Sequence, residues 1–93
     1  MLHGIGQRIK DLREERQLSM DMLVADINLR YDLSKPLNIS MVSRWENEVN
    51  SPTLENATCL CDYFSVSLDY LIGLTDVRTP SRLLAYASRL KKK

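Results

Sequence analysis

Four residues that cap helices, each standing directly before a stretch of three-and-four-spaced apolar side chains, constrain this chain more than any other feature. They are Ser19, Asn38, Thr53 and Ser67. A side-chain oxygen at such a position accepts from one of the unpaired amides of a helix's first turn. The spacing that follows puts the apolar residues on one face. After Ser19 the buried stripe reads Leu23, Val24, Ile27 and Tyr31, so the helix is expected to run to about Arg30 or Tyr31. After Asn38 it reads Val42 and Trp45, ending near Asn47. After Thr53 the residues expected on one side are Leu54, Ala57, Leu60, Cys61 and Phe64; after Ser67 they are Leu68, Leu71 and Ile72. A further helix precedes them, from about Gly4 to Gln17, with Ile5, Ile9 and Leu12 facing inward. Gln17-Leu18 and Ser65-Val66 read as turns, and Gly73 is placed to stop the fifth helix. Residues 1–74 contain no sustained alternation of apolar and polar residues, so no strand is expected. The fold class is all-α, five short helices in a compact bundle.

The stretch from 75 onward reads differently, as a linker and an amphipathic C-terminal segment. Thr79-Pro80 is a cap followed by proline at the first helical position, which starts a sixth helix. Leu83, Tyr86, Ala87 and Leu90 line one face of it, and Arg89 with Lys91, Lys92 and Lys93 suits the negative end of the helix dipole. Such a stripe packs on its own core, forms a dimer contact, or leads into a further domain, and the spacing leaves these open. Domain organisation is therefore 1–74 for the bundle and 75–93 for linker and tail.

Ninety-three residues are enough for one domain with one modest core. No apolar run is long enough to span a bilayer, and no signal-peptide layout opens the chain, so a cytoplasmic protein without membrane contact is expected. Cys59 and Cys61 lie two apart on a helix, about 200° around its axis, which suits core packing rather than a mutual disulfide. With two cysteines and a single histidine, His3, no metal site is expected. No nucleophile–base motif or glycine-rich phosphate loop is present, so neither an enzyme nor a cofactor is expected. Net charge is +1, but it is unevenly spread. Residues 37–64 hold one cation, Arg44, against four acids, while residues 77–93 hold six cations and no acid.

Function concentrates in Asn38–Asn50, which carries the only tryptophan. Val42 and Trp45 share one face, while Ser40, Ser43, Arg44 and Asn47 point elsewhere and suit base edges and phosphates. These residues, in order with their neighbours, resemble a known family. The matching pieces are Ile-Gly-Gln-Arg-Ile-Lys-Asp-Leu-Arg-Glu-Glu-Arg (5–16), Leu18-Ser19, Val-Ser-Arg-Trp-Glu-Asn (42–47), Ser51-Pro52-Thr53-Leu54 and Val-Ser-Leu-Asp-Tyr-Leu-Ile-Gly (66–73). The segment Ile5–Leu74 is similar to phage-repressor and Cro-like helix-turn-helix proteins of the xenobiotic-response-element type, whose fold is a five-helix λ-repressor-like bundle.

The resemblance implies that Asn38 caps the recognition helix and meets a phosphate. It further implies that Ile39, Ser40 and Arg44 touch base edges, with Met41 beside them, and that Ser43 and Asn47 lie near the backbone. Ser19, Met20 and Asn50 fall at flanking contact positions. Trp45 anchors the helix inward, and Glu46 pairs with Arg13 of the first helix. Three departures stand out. Asn28 takes the place of the usual turn glycine and about eight extra residues follow, Leu29 to Pro36. This insertion either brings Arg30 and Lys35 near DNA or supplies packing through Leu33 and Leu37. Met20 replaces a common backbone-bracing glutamine, and Met41 a small polar residue. Glu48-Val49 replaces the usual Gly-Lys, which removes a cation and adds an acid. The expected protein is a sequence-specific DNA-binding repressor, of phage or bacterial type, bound to the operator's major groove as a homodimer. The alternative is a protein-interaction module of the same fold, such as an antitoxin, with residues 80–93 available to a protein partner.

Overall fold

The computed structural model describes residues 4–78 and Leu90. Five helices follow in order: α1 Ile5–Glu15, α2 Met20–Arg30, α3 Ile39–Glu46, α4 Leu54–Phe64 and α5 Leu68–Leu71. No strand occurs among the described residues. His3 and the expected sixth helix, apart from Leu90, lie outside them.

Each of the four capping residues does what its chemistry dictates. Ser19 accepts from Met22 N at 3.1 Å, Asn38 from Met41 N at 2.9 Å, Thr53 from Asn56 N at 3.2 Å and Ser67 from Tyr70 N at 3.0 Å. The helix ends follow one rule as well. After α1, α3, α4 and α5 the chain enters the left-handed region at Gln17, Glu48, Ser65 and Gly73, with φ of 57°, 59°, 57° and 88°. The amide after each turns back to a carbonyl five residues earlier: Leu18 to Arg13, Val49 to Arg44, Val66 to Cys61 and Leu74 to Asp69. These are Schellman closures, which satisfy carbonyls that the helix leaves open. Only Gly73 announced one in the sequence.

The core gathers Ile9, Leu12, Leu23, Ile27, Val42, Trp45, Leu60, Phe64, Val66 and Leu71 from all five helices and the turn between α4 and α5. α4 is its axis. Asn56, Ala57, Thr58, Cys59, Leu60, Cys61, Tyr63 and Phe64 are all buried, so α4 is covered nearly all round rather than on one side. Leu54, expected inside, is 66% exposed and lines an open recess with Ile5, Pro52, Ala57, Leu68 and Ile72. Two tyrosines tie α4 to α2: Tyr31 Oη donates to Asp62 and Tyr63 Oη to Asp26, each at 2.5 Å. Both cysteines are free and buried.

The expected linker begins as a strap. Arg8 reaches Asp76 at 2.6 Å, Arg78 reaches Glu15 at 2.5 Å, and the Arg78 carbonyl accepts from Ser67 N at 3.2 Å. The Arg8 and Arg78 guanidinium groups also lie 4.0 and 5.2 Å from the Tyr70 ring centroid. Residues 75–78 thus run back over α1 and α5.

Candidate functional site

α3 is held from behind by burial, a close backbone approach and an ion pair. Val42 and Trp45 are buried, and α1 lies directly on the helix's C-terminal carbonyls. A Cβ added at Gly6 would stand 2.3 Å from Trp45 O and 2.9 Å from Glu46 O, so only glycine permits this approach. Beside that contact Arg13 Nε and Nη2 donate to the two carboxylate oxygens of Glu46 at 2.7 and 2.9 Å, and Nη1 donates to Leu18 O at 2.7 Å. The arginine is buried, and the carboxylate raises its pKa above the ordinary value, the hydrogen bonds outweighing desolvation. A forked pair of this kind fixes both position and orientation.

The other face of α3 is open. Asn38, Ser40, Arg44 and Asn47 are exposed, and Ile39 is 48% exposed although apolar. Ser43 is half-buried. Asn47 turns its carboxamide nitrogen back to Ser43 O at 2.8 Å and Ser43 Oγ at 3.3 Å. Met41, placed among the contact residues by the sequence, is half-buried and packs on the core, and so does Met20. Ser19 and Asn50 are exposed, in the turn before α2 and the turn after α3.

The insertion is a braced loop. Asn28 stays within α2, and its side chain grips Leu37 on both sides: Nδ2 donates to Leu37 O and Oδ1 accepts from Leu37 N, each at 2.9 Å. Ser34 N and Oγ reach the Glu55 carboxylate at 3.1 and 2.8 Å. Leu37 is buried and Leu33 packs against the core, while Lys35 is exposed at the loop's outer side. Arg30 is drawn to Asp26 at 3.1 Å and lies 5.6 Å from the Tyr63 ring, toward α4 and not toward α3. No sequence signal distinguished Asn28 as a two-handed clamp; polarity at the last turn of a helix, nine residues before an apolar one, is the only trace.

Unpaired positive charge is sparse among the described residues. Arg8, Arg13, Arg30 and Arg78 are each paired with a carboxylate. Arg16 donates to Tyr63 O at 3.0 Å and lies over the Tyr63 and Phe64 rings. Among the described residues this leaves Lys10, Lys35 and Arg44 as cations without a partner. Among the described residues no group of His, Cys, Asp or Glu could hold a metal ion, and no helix is long and apolar enough to cross a membrane.

A short helix capped by Asn38, packed on α2 and pinned by α1, inside an all-helical bundle, is the arrangement of a small helix-turn-helix protein. Over 74 residues, 80% of this chain, it is 31% identical to the uncharacterized HTH-type transcriptional regulator YobD of Bacillus subtilis (strain 168). The match covers 59% of that relative, so the chain spans less than two thirds of its length. No protein-family model matches the chain, and no solved structure matches it.

Proposed function

We propose that this chain is a sequence-specific DNA-binding transcriptional regulator that presents α3 to the major groove. One observation carries this reading: α3 is locked inward by Val42, Trp45, Glu46 and the approach of Gly6, while its outward side holds Asn38, Ile39, Ser40 and Arg44. A scaffold that immobilises one short helix and leaves its far side polar suits a reading head. Arg44 is the residue assigned to a guanine, through O6 and N7, and Ile39 to a thymine methyl or a neighbouring sugar. Ser40 and Ser43 supply hydroxyls to bases and backbone. Asn38, Asn47, Asn50 and Ser19 are assigned to phosphates, and Lys35 reaches the backbone from the insertion. Arg30, engaged with Asp26, and Met20 and Met41, packed on the core, are assigned secondary parts at most.

With so few unpaired cations among the described residues, one module binds weakly, so the reading includes a homodimer on a two-fold operator, with half-sites one helical turn apart. Such a dimer acts in the cytoplasm as a Cro/C1-type repressor of phage or bacterial origin, by covering an overlapping promoter, and needs neither cofactor nor catalytic group. The division into 1–74 and 75–93 belongs to the same reading. Selection of bound sites from a random DNA pool tests it: an enriched palindrome with half-sites about one turn apart is expected. Failure to enrich any site sinks it.

The scarcity of free cations among the described residues and the exposure of Ile39 favour a second reading, a protein-interaction module of the same fold, for instance an antitoxin. It predicts no DNA binding even at low salt.

A further inference from the structure

Leu90 is the one described residue beyond Arg78, and it meets the bundle at a particular point. Its carbonyl accepts the Asp32 amide, and its side chain is half-buried against the core. Asp32 is the second residue after α2. Tyr31 has already left helical geometry, with φ −121° and ψ 144°, and its amide makes the last helical bond, to Ile27 O at 2.9 Å. The Asp32 amide therefore has no helical partner, and Leu90 supplies one.

This position connects to α3 through a short chain of contacts. The last turn of α2 contains Asn28, Asn28 holds both backbone groups of Leu37, and Leu37 directly precedes Asn38, the cap of α3. Helix ends fray unless tied. A contact that ties the end of α2 therefore steadies Asn28, and Asn28 steadies the residue from which α3 starts. Tethering helps a single contact of this size to persist, since Leu90 is joined to the anchored Arg78 by only eleven residues.

We propose that Leu90 on the end of α2 is a coupling contact that sets the footing of α3. Removing Leu90 from Asp32 loosens the start of α3, and by linkage a ligand held on α3 tightens the Leu90 contact in turn. The regulatory half of this statement rests on the DNA-binding reading; the coupling itself does not.

The test is amide hydrogen exchange on the full chain and on Leu90→Asp and Leu90→Met. In the parent, the amides of Asp32 and Leu37 are protected. In Leu90→Asp, Asp32 protection falls at least tenfold and Leu37 protection falls with it, while the amides of Ile9 and Leu60 in the core keep theirs. Leu90→Met, which preserves bulk and apolarity, stays near the parent. An unprotected Asp32 amide in the parent, or Leu37 protection unchanged in Leu90→Asp, overturns the coupling. If core protection collapses as well, the milder Leu90→Ala decides by the same two amides. Affinity for a selected DNA site, measured on the same proteins, separates the two claims. Exchange coupling without DNA binding leaves the contact standing and removes the DNA reading.

Discussion

At the scale of single residues, the left-handed positions and the close approach at Gly6 make claims that ordinary substitution rules would get wrong. Glycine inside a helix is normally improved by alanine, by about 1 kcal/mol. Here the added methyl meets backbone carbonyls of α3 at 2.3 and 2.9 Å, which cannot rotate away. Gly6→Ala is therefore expected to destabilise, by roughly 1–3 kcal/mol as overpacking does, and urea denaturation checks the sign. Glu48 points the opposite way. It occupies φ 59°, where a residue with a Cβ costs about 1–2 kcal/mol relative to glycine. Glu48→Gly is expected to raise stability by up to about 1 kcal/mol, the flexibility of glycine in the unfolded chain offsetting part of the gain. It also removes an acid beside the outward face, so affinity for DNA should rise in the same protein. A rise in thermal midpoint with no change in affinity would separate the two effects. The sequence marked position 48 as a departure only through its resemblance to helix-turn-helix proteins; the reason, a Schellman closure without its glycine, needed the backbone.

At the scale of elements, the caps made four of the five helices legible, because a cap and a spacing are local signals. What the sequence could not give was the surroundings of each helix. Leu54 looks like a core residue by spacing, yet it is exposed, while Asn56 and Thr58 on the same helix are buried. Burial of α4 on nearly all sides is a tertiary fact, and a single-face reading fails for it. The insertion shows the same limit. Leu37 was readable as packing, but the grip of Asn28 on it joins groups nine residues apart and has no periodic signature. Asn28→Ala is expected to remove both bonds and leave Leu37 N–H and C=O without them. Exchange at the Leu37 amide should quicken at least tenfold, with stability lower by about 1–3 kcal/mol. Unchanged exchange at Leu37 would show that the loop is held by Ser34 and Glu55 instead.

At the scale of the molecule, the buried ionisable groups set a pH limit. Burial pushes the Cys59 and Cys61 thiols up to about 12, and burial with the hydrogen bond to Asp26 pushes Tyr63 up to about 12. Tyr31 is raised as well, by burial and its bond to Asp62. In each case the neutral, protonated form is the one the fold prefers. An unfolded thiol ionises near 9.0 and a phenol near 10.0. Their contribution is thus complete below pH 9 and is lost as pH climbs toward 12. The urea midpoint should hold from pH 7 to 8.5 and fall steadily above 9; a midpoint still level at pH 11 would refute the burial of these groups. The thiols should also resist alkylation at pH 8 in the folded protein. The fold class, then, was legible from local capping and spacing. Which cations remain unpaired was not, because Arg8–Asp76 and Arg78–Glu15 join residues more than sixty positions apart.

That sparse charge makes one titration the most direct test of the central claim, that the outward face of α3 reads DNA. Binding to a site selected from random sequence is measured by anisotropy, from low to moderate salt, for the parent and for Arg44→Ala. The reading predicts binding at low salt, with log affinity falling linearly in log salt by a slope of about −0.9 for each phosphate contacted. It also predicts a loss of about 1–3 kcal/mol on Arg44→Ala, confined to the position that Arg44 reads. No binding at low salt, or equal binding by Arg44→Ala at every site, would contradict it.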